Sequence, residues 1–547
     1  MPNRPPEHET ASNGGQPIHC VVGSGPTGVA CAQALLERGA RVRLLDGGVG
    51  LEASRAEAIA QLRRGSPELW TGEQLALLKE GTKASSKGIP LKRIYGSDYP
   101  YRECELHAPA DYLGVGLRPS LGRGGLSTVW GAAMLPYLDR DLDDWPLRLA
   151  DLEPHYAAVV KLTGLSARHD GLETRFRLYA EAPRALELSR QAKALLARLE
   201  RHRTPLATAG VSFGQARLAV AAPGPSGSAG CIYCGLCMYG CPYEYIYHSG
   251  DTLDRLRQHP RFSYQPDVIV TDVQAAPAGV TVKGYGRTDR APFAAEVGRV
   301  YLAAGVIPTA QILLRSLALY DRTVFMKDSQ YFLLPLASPR GIGDVRRERL
   351  HTLSQLFLEI DDARISPYTV HLQVYSYNDL IGQAIGNLLG PLRRRLDFLA
   401  RALESRLLIV QGYLHSAHSS QIAVTLKQGT AGQPDRLRLE ARPSRQTRPM
   451  IRRILGKLLR HGGQLGAWPL PPMLQVAEAG RGFHCGGTFP MRRQPGALET
   501  DLLGRPAGWE RLHLVDASVL PSIPATTITF SAMANAHRIG WEAATLA

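Results

Sequence analysis

Four cysteines fall within eleven residues of the chain, at a spacing that suits metal binding. Cys231, Cys234, Cys237 and Cys241 form the pattern C-x2-C-x2-C-x3-C, and Pro242 follows. Two intervening residues let successive thiolates reach neighbouring irons, whereas zinc ligands more often come as two pairs across a longer loop. The pattern predicts an iron–sulfur cluster, with a zinc site or a metal-free cysteine-rich loop as alternatives.

The identity of the fourth ligand decides the type of cluster. In two-cluster ferredoxins the last cysteine of such a run binds the other cluster, and this chain has no second run. Either Cys241 completes a 4Fe-4S cluster, or a distant thiol such as Cys104 does, or three cysteines hold a 3Fe-4S cluster. We expect a 4Fe-4S cluster with Cys241. Cys20 and Cys31 belong to the first strand and helix and are expected in the core.

A glycine-rich turn near the N-terminus predicts a dinucleotide site. It follows an apolar strand and precedes a helix and a second strand that ends in an acid. The first glycine permits a sharp turn, the second lets the backbone approach a pyrophosphate, and the third lets helix and strand pack closely. The acid reaches the ribose hydroxyls, and an ordinary tight turn is the alternative. The predicted cofactor-binding residues here are Gly23, Gly25, Pro26, Thr27, Gly28 and Asp46.

Three later segments have the same character. Paired glycines followed by hydroxyl side chains make a nest of backbone donors, unless they are only a hinge. The strand from Arg299 ends at a glycine before a helix, and a C-terminal strand ending in an acid precedes a helix with hydroxyls at its start, which offers donors to a flavin ring. The predicted cofactor-binding residues in these segments are Gly124, Gly125, Ser127, Thr128, Trp130, Ala304, Gly305, Asp516, Ala517 and Thr527.

Together these motifs resemble the glucose–methanol–choline (GMC) oxidoreductase family, whose members bind FAD and oxidise alcohols. The resemblance covers most of the chain and also includes a His-x-x-Gly-Thr motif that starts at His484. It favours FAD over NAD. The cysteines and the Asp144-Trp145-Pro146 segment are similar to the bacterial sugar-dehydrogenase branch, whose catalytic subunits carry an iron–sulfur cluster.

The resemblance implies that His484 is catalytic. It would take the proton of the substrate hydroxyl while hydride passes from the substrate carbon to flavin N5. Where the family usually has a second histidine or an asparagine, this chain has Thr527, the second catalytic candidate. A hydroxyl can hydrogen-bond the substrate oxygen but cannot take a proton as histidine does.

The expected function is that of an FAD-dependent dehydrogenase acting on an alcohol group of a sugar, polyol or glycoside. Electrons would pass through the cluster to an external acceptor such as a small subunit, a ferredoxin, a cytochrome or a quinone. Two alternatives remain: an isomerising or lyase-like flavoenzyme without net redox change, suggested by Thr527, and an electron-transfer subunit with a degenerate site.

Composition limits the partners. The chain of 547 residues has a formal net charge of +15, but no dense basic run interleaved with aromatic residues, which argues against nucleic-acid binding. An anionic substrate, an acidic redox partner or an anionic lipid surface fits better. Residues 1–16 are expected to be a disordered tail without a signal peptide, and no segment is long enough to span a membrane, so a cytoplasmic location is predicted.

The predicted fold class is α/β: a Rossmann-like FAD-binding domain with a discontinuous antiparallel-sheet substrate domain. The FAD-binding domain would comprise residues 17–150, 251–323 and 476–547, and the substrate domain 324–475. Residues 151–225 would be a helical segment running to about Arg203, with a loop from Thr204 to Gly230, and 226–250 the cluster loop. Leu388 to Leu407 would be one amphipathic helix, packed on its own domain in preference to a membrane or a groove.

Overall fold

A parallel five-stranded sheet, built from strands distant in the sequence, forms the centre of one half of the molecule. The computed structural model describes residues 17–82, 89–224, 229–430 and 433–546, so the predicted disordered tail lies outside the described residues. The strands are β1 (Ile18–Val22), β2 (Arg41–Leu45), β5 (Phe262–Gln265), β9 (Arg299–Leu302) and β20 (Leu512–Leu514). Their spatial order is β20-β9-β1-β2-β5, and all neighbours are parallel. Parallel pairing places the carboxyl ends of these strands at one edge of the sheet.

Helices and a small antiparallel sheet cover this parallel sheet. Helix α14 (Ile528–Ala543) packs against both α1 (Pro26–Glu37) and α5 (Leu149–Thr163). Helix α9 (Val306–Ser316) packs against a three-stranded antiparallel sheet of β6 (Val268–Ala276), β7 (Gly279–Gly286) and β8 (Pro292–Val297). Cys20 and Cys31 are fully buried in this core, which confirms their predicted role.

A larger sheet forms the second half of the molecule and is antiparallel throughout. Its strands are β4 (Val211–Gln215), β11 (Tyr331–Ala337), β12 (Leu356–Ile360), β13 (Val370–Tyr375), β14 (Leu407–Tyr413), β17 (Trp468–Pro469) and β18 (Gln475–Val476). Alternate residues of these strands form an apolar core with helices α6 (Arg190–Arg201), α12 (Thr447–Arg460) and α13 (Gly462–Leu465). The opposite face carries polar and aromatic side chains, as a period of two requires.

A third sheet, mixed in direction, links the two halves. It has the strands β3 (Ala110–Leu113), β10 (Thr323–Asp328), β15 (Gln421–Lys427), β16 (Arg436–Arg442) and β19 (Cys485–Gly486). The remaining helices are α2 (Ala53–Arg64), α3 (Gly72–Lys79), α4 (Cys104–His107), α7 (Arg203–Thr208), α8 (Ser249–Leu256), α10 (Asp379–Leu389) and α11 (Asp397–Glu404). Within the described ranges, no helix is both long and apolar enough to cross a membrane.

Three local predictions were wrong. The helical segment predicted up to Arg203 is interrupted between α5 and α6, where residues 164–189 lack α-helix. The predicted loop from Thr204 to Gly230 instead contains α7 and β4, because β4 completes its hydrogen bonds as an edge partner of β12. The single helix predicted from Leu388 to Leu407 breaks at Gly390 into α10, a 3-10 turn and α11, since Gly390 adopts a left-handed φ of 52°.

Candidate functional site

The glycine turn after β1 lies at the carboxyl edge of the parallel sheet and is tightly packed. Gly23 has φ +104°, and a Cβ there would lie 2.5 Å from the carbonyl oxygen of Ala303 after β9. A Cβ on Gly28 would lie 2.0 Å from the carbonyl oxygen of Gly23, so helix α1 can approach the turn only through glycine. Pro26 and Thr27 form the first turn of that helix. These positions match the predicted pyrophosphate-binding geometry.

The two predicted glycine loops meet at this edge. The backbone N–H of Gly124 donates to Ser24 Oγ at 2.9 Å, and a Cβ on Gly125 would lie 3.1 Å from Gly25 Cα. The Ser127 hydroxyl donates to the carbonyl oxygen of Gly124 at 2.6 Å. The structure therefore brings together residues that are about a hundred positions apart in the sequence.

Open space adjoins these loops on one side. A Cβ on Gly25 or on Gly305 would meet no described atom within 4 Å, unlike the crowded Gly23 and Gly28. Gly305 lies at the N-terminus of α9, and the positive end of a helix dipole attracts anions. The glycine cradle and its helix N-termini therefore fit an anionic dinucleotide such as FAD.

Asp46 closes the same edge from β2. Its carboxylate accepts hydrogen bonds from the Ser24 hydroxyl at 2.7 Å and the Tyr264 hydroxyl at 3.1 Å. Burial raises the pKa of Asp46 to about 6, and the bonds from Ser24 and Tyr264 oppose that rise. The carboxylate is thus held in place by its own chain at the position predicted for ribose recognition.

Asp516 follows β20 at the same edge and is bonded within the chain. One carboxylate oxygen accepts from the Gly305 N–H at 3.0 Å and the Thr309 hydroxyl at 2.5 Å; the other accepts from the N–H and the hydroxyl of Ser518. Burial raises its pKa. Asp516 therefore ties the start of α9 to the C-terminal segment. Ala517 follows Asp516 in the chain, and Ala304 precedes Gly305.

Thr128 and Trp130 stabilise the second glycine loop. The Thr128 hydroxyl donates to the Gly125 carbonyl at 2.9 Å, and the Trp130 indole N–H donates to the Tyr247 carbonyl at 2.8 Å. Both side-chain donors are thus used within the protein, and these residues shape the loop around the predicted site.

His484 lies where the C-terminal loop meets the polar face of the antiparallel sheet. It is half-buried, its ring stacks on Tyr413 at a centroid distance of 4.8 Å, and its Nδ1 has no hydrogen-bond partner among the described residues. Burial lowers the pKa of His484 to about 3. The imidazole is therefore neutral near pH 7 and has a nitrogen available for a ligand.

The backbone around His484 is constrained. Phe483 has φ +59°, which is rare for a bulky residue and typical of functional sites. The His484 carbonyl accepts from the Ser329 N–H at 3.0 Å, and the Gly487 N–H donates to Ala517 at 2.9 Å. These contacts fix the histidine loop against the segment that follows Asp516.

A row of side chains across the antiparallel sheet extends from His484, and sequence analysis missed it. Tyr331, Tyr413, His371 and Glu359 occupy directly paired positions on four adjacent strands, with ring distances of 5.2 and 6.1 Å for the two pairs that share Tyr413. His371 Nδ1 lies 2.7 Å from Glu359 Oε1. A glutamate inside the apolar strand β12 was the available signal, because fully buried carboxylates are rare without a partner.

Thr527 lies at the N-terminus of α14, and its hydroxyl has a partner. Its Oγ1 accepts from the backbone N–H of Leu135 at 3.0 Å, and the side chain is buried. The neighbouring Ala525 packs against Tyr331 and Tyr413, so this segment adjoins the His484 site. Trp145 of the predicted Asp-Trp-Pro motif is also structural, because its indole N–H donates to Ser522 Oγ at 2.8 Å.

The four clustered cysteines line one enclosed cavity, together with Tyr243, Tyr245, His351 and Leu353 among others. Backbone N–H groups donate to two of their sulfurs: Tyr245 to Cys241 at 3.3 Å and Thr352 to Cys237 at 3.4 Å. Burial, with the repulsion of the neighbouring thiolates, raises the pKa of Cys234 to about 12. Without a cation the Cys234 thiol would be protonated at neutral pH.

Two further observations concern which residues could bind an iron–sulfur cluster in this cavity. Cys104, the alternative fourth ligand, does not line this cavity, and its thiol donates to the Pro119 carbonyl at 3.5 Å. Among the described residues, no group of three or more His, Cys, Asp or Glu side chains is arranged to hold a single metal ion. The thiolates of a cuboidal cluster bind separate irons and stand further apart than the ligands of one ion.

Comparison with known proteins shows the fold. No protein-family model matches the chain, and no curated protein matches its sequence. Solved structures that match over nearly the whole chain include pyridoxine 4-oxidase from Mesorbium loti (TM-score 0.59, 14% identity, 96% of this chain and 99% of that chain). Formate oxidase matches with TM-score 0.59 and 15% identity over 97% of this chain and 98% of that chain. A formate oxidase variant from Aspergillus oryzae RIB40, described for its FAD modification, has TM-score 0.58 and 15% identity over the same shares.

These likenesses confirm the predicted fold class, an α/β fold with a parallel sheet and an antiparallel-sheet half.

Proposed function

We propose that this protein is an FAD-dependent oxidoreductase that oxidises an alcohol group of a small molecule. The observation that carries the proposal is His484, which is neutral, has no hydrogen-bond partner at Nδ1 among the described residues and lies beside the polar face of the antiparallel sheet. The same fold has a glycine cradle at the carboxyl edge of the parallel sheet. The structural neighbours support it, since they are named as oxidases of small molecules and one is described for its FAD.

The predicted residues divide the binding of the cofactor among them. The glycines at 23, 25, 28, 124, 125 and 305 would admit the pyrophosphate to backbone donors, and Asp46 would bond the ribose hydroxyls. When bound, FAD would accept a hydride from the substrate carbon. No other redox group is needed for the first half of the reaction.

His484 would serve as the base of that step. With a pKa of about 3 it is unprotonated at neutral pH, so its Nδ1 can accept the proton of a substrate hydroxyl. The stacked Tyr413 holds the ring at a fixed angle. Thr527 would act through the backbone of Leu135, because its hydroxyl oxygen is already bonded there.

The polar sheet face suits a substrate rich in hydroxyl groups. Gln373, Tyr375 and Gln411 lie on the same face as His371 and supply several donors and acceptors. A sugar, a polyol or a glycoside would satisfy these groups, whereas an apolar alcohol would leave them unpaired at a cost in binding.

For the second half of the reaction, we infer that the four cysteines hold an iron–sulfur cluster that passes electrons singly to an external acceptor. The shared enclosed cavity and the N–H donors to the sulfurs support this, as does Tyr233, whose φ of +59° turns the chain between the first two cysteines. An oxidase that delivers electrons to oxygen is the second candidate, favoured by the names of the structural neighbours.

An anaerobic titration tests the function. The protein would be purified without oxygen and assayed for FAD, iron and acid-labile sulfide, and then mixed with sugars, polyols and simple alcohols while flavin absorbance is followed. Flavin bleaching followed by reduction of the cluster is the expected result. Bleaching with no iron present would support the oxidase. No bleaching with any alcohol would overturn the proposal in favour of an isomerising flavoenzyme or an electron-transfer subunit.

A further inference from the structure

A helical hairpin packs against the start of strand β14 of the antiparallel sheet. It consists of α10, the 3-10 turn Gly390–Arg394 and α11, and the two helices contact each other. Its inner side chains, Ile381, Ile385 and Ala400, are buried against Leu407 at the start of β14. One side of the hairpin is thus anchored to the domain.

The outer side of this hairpin is apolar and open. Leu388 is 73% exposed, Phe398 66% and Leu392 52%, and Leu399 and Leu403 are also exposed. These five side chains lie within sixteen residues, on the tip and the second helix. Such a concentration of large exposed apolar side chains marks an interaction surface.

Arginines surround this apolar tip. Arg393, Arg394 and Arg395 are consecutive and exposed in the turn between the helices. Arg394 and Arg395 have no ion pair or side-chain hydrogen bond with any described residue, whereas Arg401 pairs with Asp397 at 2.7 Å. Two positive charges therefore remain uncompensated beside the exposed leucines.

We propose that this hairpin binds the surface of an anionic lipid bilayer. An apolar edge rimmed by arginines is the pattern of an interfacial helix, whose apolar side chains enter the boundary of the acyl chains while its cations meet lipid phosphates. The hairpin lies in the interface and does not cross the bilayer. The proposal does not depend on the redox function proposed above.

A second copy of the chain fits this surface less well. In a two-fold dimer the same patch faces itself, and Asp397, the carboxylate next to the turn, is already paired with Arg346 and Arg401, so it would not compensate Arg394 and Arg395. Phosphate groups of lipids supply the missing negative charge. Charge complementarity therefore favours the lipid surface.

The base of the hairpin adjoins the cysteine cavity. Asp379 forms an ion pair with Lys79, and the Gln383 amide donates to the Tyr239 hydroxyl at 3.5 Å. Tyr239 lies between Cys237 and Cys241 in the chain. A bilayer bound at the hairpin would therefore lie on the side of the molecule that carries the proposed electron exit.

Vesicle sedimentation with the full chain tests the proposal. The protein should sediment with vesicles of equal parts phosphatidylcholine and phosphatidylglycerol. A far smaller fraction of it should sediment with vesicles of phosphatidylcholine alone. The double variant Arg394→Glu/Arg395→Glu should weaken partitioning about tenfold or more, because each basic residue near an anionic surface contributes roughly a fivefold gain. Leu388→Ser/Phe398→Ser should weaken it on both kinds of vesicle.

Matched controls use exposed side chains elsewhere. Arg322→Glu/Arg493→Glu makes the same change in net charge, and Leu106→Ser replaces another exposed leucine; neither should alter partitioning by more than about twofold. Equal losses in the control and hairpin charge variants would overturn the proposal, because net charge alone would then explain binding. So would unchanged partitioning of the hairpin variants.

A spectroscopic measurement locates the contact. In Phe398→Trp the new indole should shift its emission to shorter wavelength when anionic vesicles are added, while Leu106→Trp should show no added shift. Absence of a shift in Phe398→Trp would overturn insertion of the tip. Analytical ultracentrifugation tests whether a second copy of the chain covers this surface instead. If the parent protein is a dimer and Leu388→Ser/Phe398→Ser is a monomer, the surface is a dimer interface and the lipid contact is refuted.

Discussion

Glu359 Oε1 lies 2.7 Å from His371 Nδ1, and both side chains are wholly shielded from solvent within the antiparallel sheet. With Glu359 ionised, His371 carries its proton on Nδ1 in this bond, and Nε2 then accepts from the Gln373 amide at 3.2 Å. Burial raises the pKa of Glu359, and the attraction of His371 opposes that rise. Through Tyr413, this pair forms the support beneath the His484 ring.

Glu359→Gln tests that support. The amide cannot accept with the strength of a carboxylate, so His371 should lose its fixed tautomer, and the rate of flavin reduction by substrate should fall about tenfold, the equivalent of one charged hydrogen bond. Stopped-flow absorbance measures the rate. Glu359→Asp should recover part of it, and the buried, ion-paired Glu404→Gln, which is remote from His484, should not slow it. An unchanged rate in Glu359→Gln would remove the pair from the site.

His484→Asn should lose the base while FAD stays bound. We expect flavin reduction to slow by roughly 10²- to 10⁴-fold, the usual contribution of a general base. Tyr413→Phe, which keeps the stacked ring, is the matched control and should slow it far less. The flavin content of both proteins is measured from absorbance after unfolding. Equal rates for His484→Asn and the parent protein would refute its catalytic role.

The parts of the fold that were predicted correctly depend on local chemistry. Gly23, Gly25 and Gly28 follow a short apolar strand. A Cβ on Gly23 or Gly28 would collide with the backbone, whereas Gly25 borders the open space predicted for the pyrophosphate. Asp46 and Asp516 each follow a strand of the parallel sheet. Because parallel strands have their carboxyl ends at the same edge of a sheet, both acids are expected at that edge. The four cysteines were found for the same reason: their spacing alone brings them to one cavity.

The missed features depend on contacts between distant segments. Strand β4 lies in a stretch rich in Pro, Gly, Ala and Ser, and only its pairing with β12, more than a hundred residues later, makes it a strand. The backbone N–H of Leu135, which donates to the Thr527 hydroxyl oxygen, is 392 positions away from Thr527 in the sequence. The sequence alone does not reveal this hydrogen bond, because it joins two distant segments. It does not reveal the Glu359–His371 pairing either, because the register between strands is set by the whole sheet.

Thr527→Val tests whether the Thr527 hydroxyl has a structural or a catalytic role. Loss of Oγ1 leaves the buried Leu135 N–H without its acceptor, which should lower the free energy of unfolding by about 1–3 kcal/mol. Thr527→Ser keeps the acceptor and should be close to the parent. Chemical denaturation measures the difference. Flavin reduction should fall less in the FAD-loaded Thr527→Val protein than in His484→Asn, and a larger fall would place the hydroxyl in the chemistry.

Cys234→Ser should separate the two halves of the proposed reaction. Removal of one thiolate should abolish or destabilise the cluster, so iron and sulfide content should drop, while substrate still bleaches the flavin. Turnover with an external one-electron acceptor should fall at least about tenfold if the cluster is the only exit path. Cys104→Ser, a buried cysteine outside the cavity, should keep iron and turnover. Equal turnover in Cys234→Ser and Cys104→Ser would contradict the relay.

Buried neutral histidines should make the fold sensitive to acid. Each has a folded pKa below the usual 6.5, so between pH 6.5 and the folded value the unfolded chain binds a proton that the folded chain does not, and stability falls as pH falls. The cause is burial in every case. The pKa is lowered to about 4 for His19, His155 and His351, and to about 3 for His415, His484 and His513.

Three buried aspartates oppose this effect. Burial raises the pKa of Asp46, Asp141 and Asp328 to about 6, so between pH 6 and 3.8 the folded chain binds the extra proton and gains stability as pH falls. Burial also raises the pKa of Asp516 and Glu359, which adds to this opposing effect. The six histidines begin to lower stability at pH 6.5, their shifts are larger than those of the three aspartates, and each shifted group contributes up to about 1.4 kcal/mol per pH unit. The free energy of unfolding should therefore decrease from pH 7 to 4.5. His415→Gln should show a shallower decrease in denaturant titrations across that range, and a stability that rises towards pH 4.5 would contradict the assignment.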